Sequence, residues 1–503
     1  MKSLMSIENF GAIDADNDDL LLECFEDHEA FIDLLNFKKN LVIGKKGAGK
    51  TAIFKEMLVR KAPDYFCFGH TFSDYPWHYH DKQARIGIPD FDKYTHSWKY
   101  LILLTASKII LNQDQSLPHD DVSMEHMIKI EKFIVDTYGS RDPDITQIFT
   151  PSKRLRLKPN FEIDWKVLKA GVSPELVPME ELPTVIQEVN DNLINYVLTC
   201  LNPRHKYYIC FDQLDLGFDP EDKEYSNRLI GLLLACRDIN IKAKEKGVNL
   251  FVAVFLRDDI YNILHFEDKN KITENFVSLI EWDTGRTQKT LKALMDKRFN
   301  KLLSDSQTEK ITWEDIFDET KEMTGHQSKY RHILDRTYLR PRDIIKFCNT
   351  ILQQYQRRIQ QTTHDIDNPK FDNYDIHQSK IEYSNYFLNE LDDEIHKHIP
   401  DYNDYLELFK ALGIMQFKRT EFISVFEERK INFPHVNNPI QILKDLFDYS
   451  VVGFYRAGGG GYGGSEYIFK YNEPRAQFDE SSPKYRLHLG LVDVLGLKKY
   501  SKK

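Results

Sequence analysis

The sequence lacks the features that mark secreted, membrane-spanning and disulfide-stabilised proteins. Its six cysteines include no C-x-x-C pair, which excludes the common zinc-knuckle and dithiol motifs and is typical of a reducing compartment. No stretch reaches the roughly 18 consecutive apolar residues of a membrane span. The first thirty residues hold nine Asp or Glu against one Lys, where a secretory signal would need an apolar core. We therefore expect a cytoplasmic protein that does not enter a membrane.

Positive charge is also in deficit. The chain has 68 Lys and Arg against 78 Asp and Glu, which gives a formal net charge of −10. This balance excludes a protein that binds nucleic acid over its whole surface, but it does not exclude a local basic patch. The 503 residues are 41% hydrophobic and 13% aromatic, which is enough apolar material for several buried cores. At roughly 150 residues per domain, the length predicts about three folding units.

Short apolar runs alternate with helical patterns in the part of the chain before Gly285. The runs at Leu41–Ile43, Tyr65–Phe68, Tyr207–Phe211 and Asn249–Leu256 predict buried strands, and Phe276–Trp282 predicts a weaker fifth. Continuous apolar runs of this kind suit parallel strands that are buried on both faces. The alternation therefore predicts an α/β fold in which helices cover both faces of a parallel sheet.

The pattern divides the chain into five segments. Residues 1–71 hold an acidic N-terminal arm, part of it with helical periodicity, and the start of the sheet core. Residues 72–200 read as a helical insertion, 201–284 as the rest of the core, and 285–370 as a helical lid. Residues 371–503 show three helices followed by two strands around a glycine run, which is the order of a winged helix.

The strongest motif lies between the first predicted strand and a predicted helix, and it matches G-x-x-x-x-G-K-[ST] at every position. Its glycines allow backbone N–H groups to face a phosphate at the start of the helix. The lysine would neutralise the β- and γ-phosphates, and the threonine hydroxyl would complete the shell of a Mg²⁺ ion. The sequence thus predicts a site for ATP and Mg²⁺. The predicted nucleotide-binding residues of this loop are Gly44, Lys45, Lys46, Gly47, Ala48, Gly49, Lys50, Thr51 and Ala52.

The second half of such a site is an acidic residue at the end of a neighbouring strand. Asp212 follows Tyr207–Phe211 and would hold Mg²⁺ directly or through water, together with Thr51. Many P-loop ATPases place a glutamate next as general base, but Gln213 stands here and can orient a water without taking its proton. Asp215 either supplies the missing carboxylate or caps the next turn. With Lys50 and Asp212, these two complete the catalytic candidates, and slow or partner-stimulated ATP hydrolysis is expected.

With these residues in place, the chain resembles the AAA+-like (ASCE) branch of P-loop NTPases, nearest to the STAND, KAP and Orc/Cdc6-type modules. The D-x-x-D of Asp212–Asp215 is similar to the KAP and STAND pattern. FGAIDADNDDLL, GKKGAGKTAIF, DYPW, FLRDDIY and RPRDIIKF resemble a poorly characterised bacterial family of P-loop ATPases that is often found near antiphage defence genes. The likeness runs over most of the chain, and its motifs are specific at the nucleotide site.

The resemblance implies roles for several arginines. Arg257 follows the fourth predicted strand, where AAA+ proteins keep a residue that senses the γ-phosphate; Asp258 is the second candidate, and an ordinary salt bridge is the alternative. Arg340 and Arg342 look like the arginine motif of an AAA+ lid, and we favour Arg342 as the nucleotide contact. No spacing rule chooses an arginine finger for a neighbouring subunit. The eligible residues are Arg237, Arg286 and Arg298.

Two other features resemble sites. The stretch His70–His80 with His96 matches no established metal spacing, and aromatic packing is the favoured interpretation. Residues Lys470–Lys503 hold eight basic and four acidic residues, an excess that suits contact with a phosphate backbone. The preceding helices are rich in glutamate, so a protein partner is an equal alternative to nucleic acid for this end of the chain.

These observations lead to two main hypotheses. The first is an ATP-dependent switch that acts with a protein partner or effector, is compatible with self-assembly, and takes its antiphage setting from the resemblance alone. The alternative is a DNA-binding ATPase similar to Orc/Cdc6 or helicase-loader proteins. A small-molecule kinase is disfavoured because no acceptor-binding lid can be recognised.

Overall fold

The computed structural model describes residues 2–72, 90–144, 182–219, 221–306, 309–361, 370–458 and 464–499, together with residue 148 and the pairs 156–157 and 177–178. Its contacts divide the chain into two compact units. The first, here called the sheet unit, comprises Asp27–Lys45 and Lys50–Ile280. The second, called the helical unit, comprises Met1–Glu26, Lys46–Gly49 and Glu281–Lys503. The five segment boundaries drawn from the sequence stay a prediction.

The sheet unit is built on five parallel strands, which confirms the predicted α/β class. In chain order its strands are β1 (Leu41–Gly44), β2 (Tyr65–Thr71), β3 (Arg156–Leu157), β4 (Val177–Pro178), β5 (Lys206–Asp212), β6 (Asn249–Arg257) and β7 (Val277–Leu279). The main sheet has the order β2-β5-β6-β1-β7, and β3 pairs only with β4. All five strands of the main sheet are parallel, so their carboxyl ends share one edge. Gly44, Asp212 and Arg257 end their strands at that edge.

Helices connect and cover these strands. They are α1 (Glu29–Leu35), α2 (Lys50–Val59), α3 (Asp90–Asn112), α4 (Asp121–Tyr138), α5 (Leu182–Cys200), α6 (Lys223–Lys246), α7 (Asp258–Ile263) and α8 (Lys269–Phe276). The helical periodicity of the N-terminal arm is realised only in α1, because residues 20–24 form a turn. No helix among the described residues is long and apolar enough to cross a bilayer.

The segment predicted as an insertion supplies a helix to the core of the sheet unit. Alternate residues of β5 face opposite sides of the sheet, and the side of Phe211 belongs to the main hydrophobic cluster. Trp98 of α3 is fully buried there, with its ring centroid 5.8 Å from that of Phe211. Its indole N–H donates to the backbone oxygen of Arg228 at 2.9 Å. On the opposite face, Tyr208 stacks on Phe37.

The helical unit contains no strand between Glu281 and Ile395 among its described residues, in keeping with the loss of strand pattern after Gly285. A short 3-10 helix, Leu4–Ser6, opens the arm. The following helices are α9 (Leu291–Leu303), α10 (Trp313–Ile316), α11 (Lys329–Leu334), α12 (Pro341–Gln361) and α13 (Asn373–Ile395). Pro341 starts α12, where its missing N–H would have had no intrahelical partner.

The C-terminal part of the helical unit combines short helices with a small antiparallel sheet. Its elements are α14 (Tyr402–Leu412), β8 (Gln416–Lys418), α15 (Arg419–Glu428), the 3-10 turn Lys430–Asn432, α16 (Pro439–Asp448), β9 (Val452–Arg456), β10 (Glu466–Ile468), β11 (Lys484–Leu487) and α17 (Leu489–Val492). The sheet order is β10-β9-β11-β8. The three predicted helices and the two predicted strands, β9 and β10, are present. β8 and β11 were not predicted; β10 is equally short but was recognised because it follows the glycine run, a turn signal that β8 and β11 lack. The tip of the glycine run falls on residues 459–463, outside the described residues.

The N-terminal arm packs within the helical unit through side chains that bond its backbone. Asn349 of α12 accepts from the Phe10 N–H at 2.7 Å and donates to the Gly11 oxygen at 2.9 Å. Arg298 of α9 donates to the Phe10 oxygen and pairs with Asp18 at 2.5 Å, and both charged side chains are buried. A buried ion pair of this kind is costly to break, because either partner alone would be an uncompensated charge.

Gly11 is the position where this packing leaves least room. Its φ of +118° lies in the region that favours glycine, and an added Cβ would fall 1.8 Å from Nη1 of Arg298. We expect Gly11→Ala to displace Arg298 and to lower the free energy of unfolding of the helical unit by about 3 kcal/mol or more. Gly413→Ala is the matched control, since Gly413 has a φ of +67° but open space around its Cβ position. It should cost only about 1–2 kcal/mol. Equal losses in urea unfolding would contradict the expectation.

Candidate functional site

The predicted phosphate loop connects β1 to α2, and its backbone explains its glycines. Gly47 has a φ of +77° and Gly49 a φ of +109°, both values that side chains with a Cβ rarely adopt. Gly44 ends β1 and Lys50 begins α2, so the loop turns directly into a helix N-terminus. The backbone N–H groups at such an end have no intrahelical acceptor and favour an anion.

Lys50 brings its charge to this loop. Its ammonium donates to the backbone oxygens of Gly44 and Lys45, both at 2.9 Å. Burial lowers the pKa of Lys50, and the carboxylates of Asp215 and Asp212 act in the opposite direction. The lysine is therefore a desolvated cation close to carbonyl oxygens, which is the arrangement in which an anionic ligand would be most strongly attracted.

Asp212 and Thr51 meet in the sheet unit. The Asp212 side chain is buried, and its carboxyl group accepts hydrogen bonds from the Thr51 hydroxyl and the Gln213 N–H. Its Oδ2 atom is buried without a hydrogen-bond partner. Burial raises the pKa of Asp212 from 3.8 to about 6, against the lowering effect of these hydrogen bonds and of Lys50. A carboxylate oxygen with no partner beside a hydroxyl is the kind of hard oxygen donor set that Mg²⁺ takes.

These residues fit a cation that completes its shell with water and phosphate. Among the described residues, no group of three or more His, Cys, Asp or Glu side chains is arranged to hold a metal. Mg²⁺ commonly binds through one or two protein ligands and keeps several waters or phosphate oxygens. Thr51 and Asp212 are thus the two residues of the sheet unit that would hold it.

The residues after Asp212 turn sharply. Gln213 has a φ of +61°, a left-handed conformation that is uncommon outside glycine, asparagine and aspartate. Such local strain is often kept at functional sites. Asp215, two residues further on, is half-buried, and its Oδ2 lies 3.3 Å from Nη1 of Arg257. The predicted general base is therefore ion-paired rather than alone.

Arg257 lies at the end of β6 and is held by two carboxylates. Besides Asp215, it contacts Asp259 through two hydrogen bonds, at 3.0 Å from Nε and 2.6 Å from Nη2. Asp258, the second sensor candidate, accepts from the backbone N–H of Asp259 at 3.0 Å. The salt-bridge alternative raised for Arg257 is thus present, and it links the end of β6 to the turn after β5. Asp259 was not predicted, although its place in the run Arg257-Asp258-Asp259 was a local signal.

The tip of the loop, Lys46–Gly49, packs within the helical unit. The Arg340 guanidinium donates to the Lys46 oxygen at 2.9 Å. A Cβ added at Gly47 would lie 2.9 Å from the Cβ of Arg342, so glycine is required there by space as well as by backbone conformation. The indole N–H of Trp282 donates to the Ala48 oxygen at 3.0 Å. The part of the loop that carries the motif's second glycine is therefore held by side chains from a distant part of the sequence.

Arg340 and Arg342 have different surroundings. Arg340 is 2% exposed and pairs with Asp343 at 2.9 Å and with Glu394 at 2.6 Å. Leu339 before it has a φ of +54°, a strained value for a leucine. Arg342 is more accessible; it pairs with Glu390 at 2.8 Å and donates to the Ile13 oxygen at 3.1 Å. Arg340 is thus a structural support of the loop tip, whereas Arg342 is the arginine with fewer fixed partners.

Acidic residues on one face of α13 complete this arrangement. Lys46 lies 3.1 Å from Asp393 and 3.6 Å from Glu390. With Glu394, which pairs with Arg340, these residues have the i, i+3, i+4 spacing of a single helix face. We call Glu390, Asp393 and Glu394 the α13 acidic face. No local pattern predicts it, because its basic partners Lys46, Arg340 and Arg342 all lie outside α13 and far from it in sequence.

Other residues that the sequence suggested as site candidates take part in internal packing or in ion pairs. His70 in β2 is buried against Thr105, at 2.9 Å from its hydroxyl, and burial lowers its pKa to about 3. His78 and His80 lie outside the described residues. Arg237 pairs with Asp268 at 3.8 Å, and Arg286 with Glu281 at 2.6 Å. The buried pair of Arg298 with Asp18 is an internal contact of the helical unit.

Comparison with known proteins connects one part of the chain to a family. Residues 289–392 match the family model of the FunZ-associated C-terminal helical domain. This stretch runs from just before α9 to α13 and includes Arg340, Arg342 and Glu390. No curated protein matches the chain. The match covers about a fifth of the sequence, and it relates the helical unit, rather than the loop, to known domains.

The raised pKa of Asp212 has a measurable effect on stability. Because the unfolded chain ionises near pH 3.8 and the folded carboxyl only near 6, this group destabilises the folded state as pH rises through that window. The full effect, roughly 3 kcal/mol, is present above pH 6. We expect Asp212→Asn to be more stable than wild type at pH 7 without Mg²⁺, with the difference disappearing below about pH 4. Urea unfolding from pH 4 to 8 measures this, with the exposed Asp219→Asn as control. A difference independent of pH would contradict the assignment.

Proposed function

We propose that the chain binds ATP with Mg²⁺ at the loop Gly44–Thr51 and hydrolyses it slowly, as a nucleotide-dependent switch that acts on a protein partner. The observation that carries the proposal is the arrangement at one sheet edge. A desolvated Lys50 reaches the loop, and Thr51 is hydrogen-bonded to a buried Asp212 that keeps one oxygen without a partner. These are the charges and donors that a nucleoside triphosphate and its cation require.

The strand order supports an AAA+-like, ASCE P-loop fold. If the five parallel strands are numbered along the chain, their order in the sheet is 2-3-4-1-5. The strand that ends in Arg257 therefore lies between the loop strand and the strand that ends in Asp212. An additional strand at this place is characteristic of the ASCE branch that the motifs resemble. The strand order does not follow from the motifs, so it is independent support.

A bound Mg²⁺ would bridge phosphate oxygens and offset their charge. The chain's own contribution is to hold the Asp212 carboxylate where it could bind the cation. Its carboxyl group is held in place by Thr51 and Gln213, and its pKa near 6 makes it ionised at neutral pH. Lys50, with a pKa lowered by burial, would regain a strong partner when a polyphosphate enters.

Slow ATP hydrolysis is expected from the two residues that could activate the attacking water, Gln213 and Asp215. Gln213 can orient a water but cannot accept its proton. Asp215 can accept a proton, but its Oδ2 atom is engaged in the ion pair with Arg257. Fast hydrolysis would require Arg257 to move away from Asp215. A partner that shifts Arg257 would therefore stimulate the reaction.

A switch is favoured by the partners of the loop tip. Lys46 and Arg342 are both held by Glu390 of the α13 acidic face. A phosphate that attracts Lys46 or Arg342 would compete with the Glu390 carboxylate for that cation. Binding would therefore change the contacts of α13 in the helical unit. The segment matched to the FunZ-associated helical domain is the one that contains Glu390. An antiphage setting rests on the resemblance of the motifs alone.

A protein partner is favoured over duplex DNA by the C-terminal elements. The order α14, β8, α15, α16, β9, β10 resembles a winged helix, with β11 as an additional strand between β8 and β9. In a winged helix the third helix enters the major groove, and here that helix is α16. It presents Gln441, Lys444, Asp445 and Asp448 away from the core, and Asp448 is paired with Lys470 at 3.6 Å. This face therefore lacks the excess of positive charge on which binding to a phosphate backbone depends.

The first test is nucleotide binding by the Lys50→Ala variant. We expect affinity for ATP to fall at least about 100-fold, because several charge-assisted hydrogen bonds are lost together. Calorimetric titration with ATP, with and without Mg²⁺, measures the change. Lys61→Ala, an exposed lysine just after α2, should bind as wild type. Wild-type affinity in Lys50→Ala would refute the proposed site.

The second test separates Asp215 from Gln213. If Asp215 takes the proton, Asp215→Asn should lower kcat about 100-fold or more while ATP affinity changes little. Gln213→Glu, which preserves shape at a strained position, should raise kcat if only a base is lacking. Single-turnover hydrolysis measures both, with Asp219→Asn as control. Unchanged hydrolysis in Asp215→Asn would exclude it as the base.

A further inference from the structure

A cluster of imidazole and basic side chains around His332 lies in the helical unit, apart from the phosphate loop, and is here called the second polar pocket. At its base is His332 of α11, which is 3% exposed and has neither ring nitrogen hydrogen-bonded. A neutral imidazole has one donor and one acceptor, and burying both without partners costs free energy. Buried polar groups without a protein partner call for an explanation, such as a bound water or ion.

Basic side chains surround this histidine. Arg336 follows α11, donates to the His332 oxygen at 2.8 Å, and has a buried Nε without a partner. His377 of α13 places its ring centroid 6.3 Å from that of His332. Lys380, one turn later on the same helix, is half-buried and acts electrostatically on both His332 and Arg336. Residues of α11, of the turn after it and of α13 therefore bring four nitrogen-bearing side chains close together.

A third element fixes the other side of the pocket. Ser384 of α13 donates to the Gly490 oxygen at 2.5 Å and accepts from the Val494 N–H at 3.1 Å. These bonds hold α17 and Asp493 beside the turn of α13 that carries Lys380. A Cβ at Gly490 would lie 2.7 Å from the Arg336 oxygen, so glycine is needed for this close approach. The pocket is thus built by fixed contacts among α11, α13 and α17.

Ion pairs balance several other arginines of the unit. Arg298, Arg340 and Arg358 each have a carboxylate within 3 Å. Among the described residues, neither Arg336 nor Lys380 has a carboxylate within 4.0 Å, although Asp493 lies within electrostatic reach. Positive charges that are partly buried without a counter-ion are unfavourable. A bound anion would relieve this.

We propose that His332, Arg336, His377 and Lys380 form a binding pocket for a phosphate group, either as free phosphate or as a phosphate monoester. Arg336 and Lys380 face the carboxylates of Asp493 and Asp335, but Asp335 is already paired with Arg331 at 2.8 Å, so one positive charge is left over. Protonation of the rim residue His377 would add another. A dianion with several acceptor oxygens matches this set better than chloride or a carboxylate does. The inference goes beyond the proposed ATPase function and does not depend on it.

The pocket should take up a proton when it binds. Burial lowers the pKa of Lys380 to about 8, with Arg336 adding to the effect and Asp493 opposing it. The charged groups facing the pocket from α11, α13 and α17 are Asp335, Arg336, His377, Lys380 and Asp493. An anion favours the charged ammonium, so affinity should increase as pH falls through 8.

Calorimetric titration of the full-length Lys50→Ala variant with inorganic phosphate and with AMP tests the proposal, because that background removes the phosphate loop as a competing site. We expect binding that Arg336→Gln or Lys380→Gln weakens roughly tenfold or more, while Lys410→Gln, an exposed lysine paired with Glu407, does not change it. Tighter binding of AMP than of phosphate would identify a monoester as the ligand, and equal binding would identify the free anion.

Proton uptake on sulfate binding is a readout that distinguishes anion binding from a merely structural role of Lys380. Sulfate is suitable because it does not itself titrate near neutral pH. At pH 8 in two buffers of different ionisation enthalpy, sulfate binding should show net proton uptake, and Lys380→Gln should abolish it. Lys380→Gln also covers the case in which Arg336→Gln fails to fold. The proposal is overturned if neither phosphate nor AMP binds with a Kd below about 10 mM, or if Lys380→Gln and Arg336→Gln bind as the parent does. Loss of ATP binding in Lys50→Ala bears only on the phosphate loop.

Discussion

The candidate site depends on the pairing of one short strand. β1 has only four residues, yet it is hydrogen-bonded to β6 on one side and to β7 on the other. This double pairing fixes where the chain leaves the sheet at Gly44, and therefore where the loop and α2 begin. Because the sheet is parallel, the same edge also receives the ends of β5 and β6. Lys50, Asp212 and Arg257 are brought to one place by backbone hydrogen bonds far more than by their own contacts.

The parts of the fold and of the candidate site that could be predicted are those that a clear sequence pattern marks. The parallel α/β sheet was predictable because each strand is a continuous apolar run, and the meeting of Thr51 with Asp212 followed from the motif and the strand ends. β8 and β11 were not predictable, because no turn signal like the glycine run before the equally short β10 marks them. The α13 acidic face was invisible for a different reason. Its partners are distant in sequence, and nothing local distinguishes Glu390 from any exposed glutamate on a helix.

The roles predicted for three arginines differ from the contacts that these arginines make in the structure. From the sequence, Arg257, Arg340 and Arg342 are candidates for contact with a nucleotide. The structure gives each of them carboxylate partners within its own unit. An arginine that is already paired can still act on a ligand, but only by exchanging one anion for another. Each of these three guanidinium groups therefore has a carboxylate partner that a bound phosphate would have to replace. His332 and its neighbours are different, because there the basic groups have no such carboxylate.

The packing of the N-terminal arm has a consequence for how the chain is made. Phe10 and Asp18 are synthesised well before the residues that hold them, because Asn349 lies 339 residues after Phe10 and Arg298 lies 280 residues after Asp18. The contacts of Phe10 and Gly11 with Asn349 can form only after Asn349 has been translated. Contacts of such long sequence separation form slowly. The packing of the arm therefore depends on residues that are made after the whole of the sheet unit, which ends at Ile280.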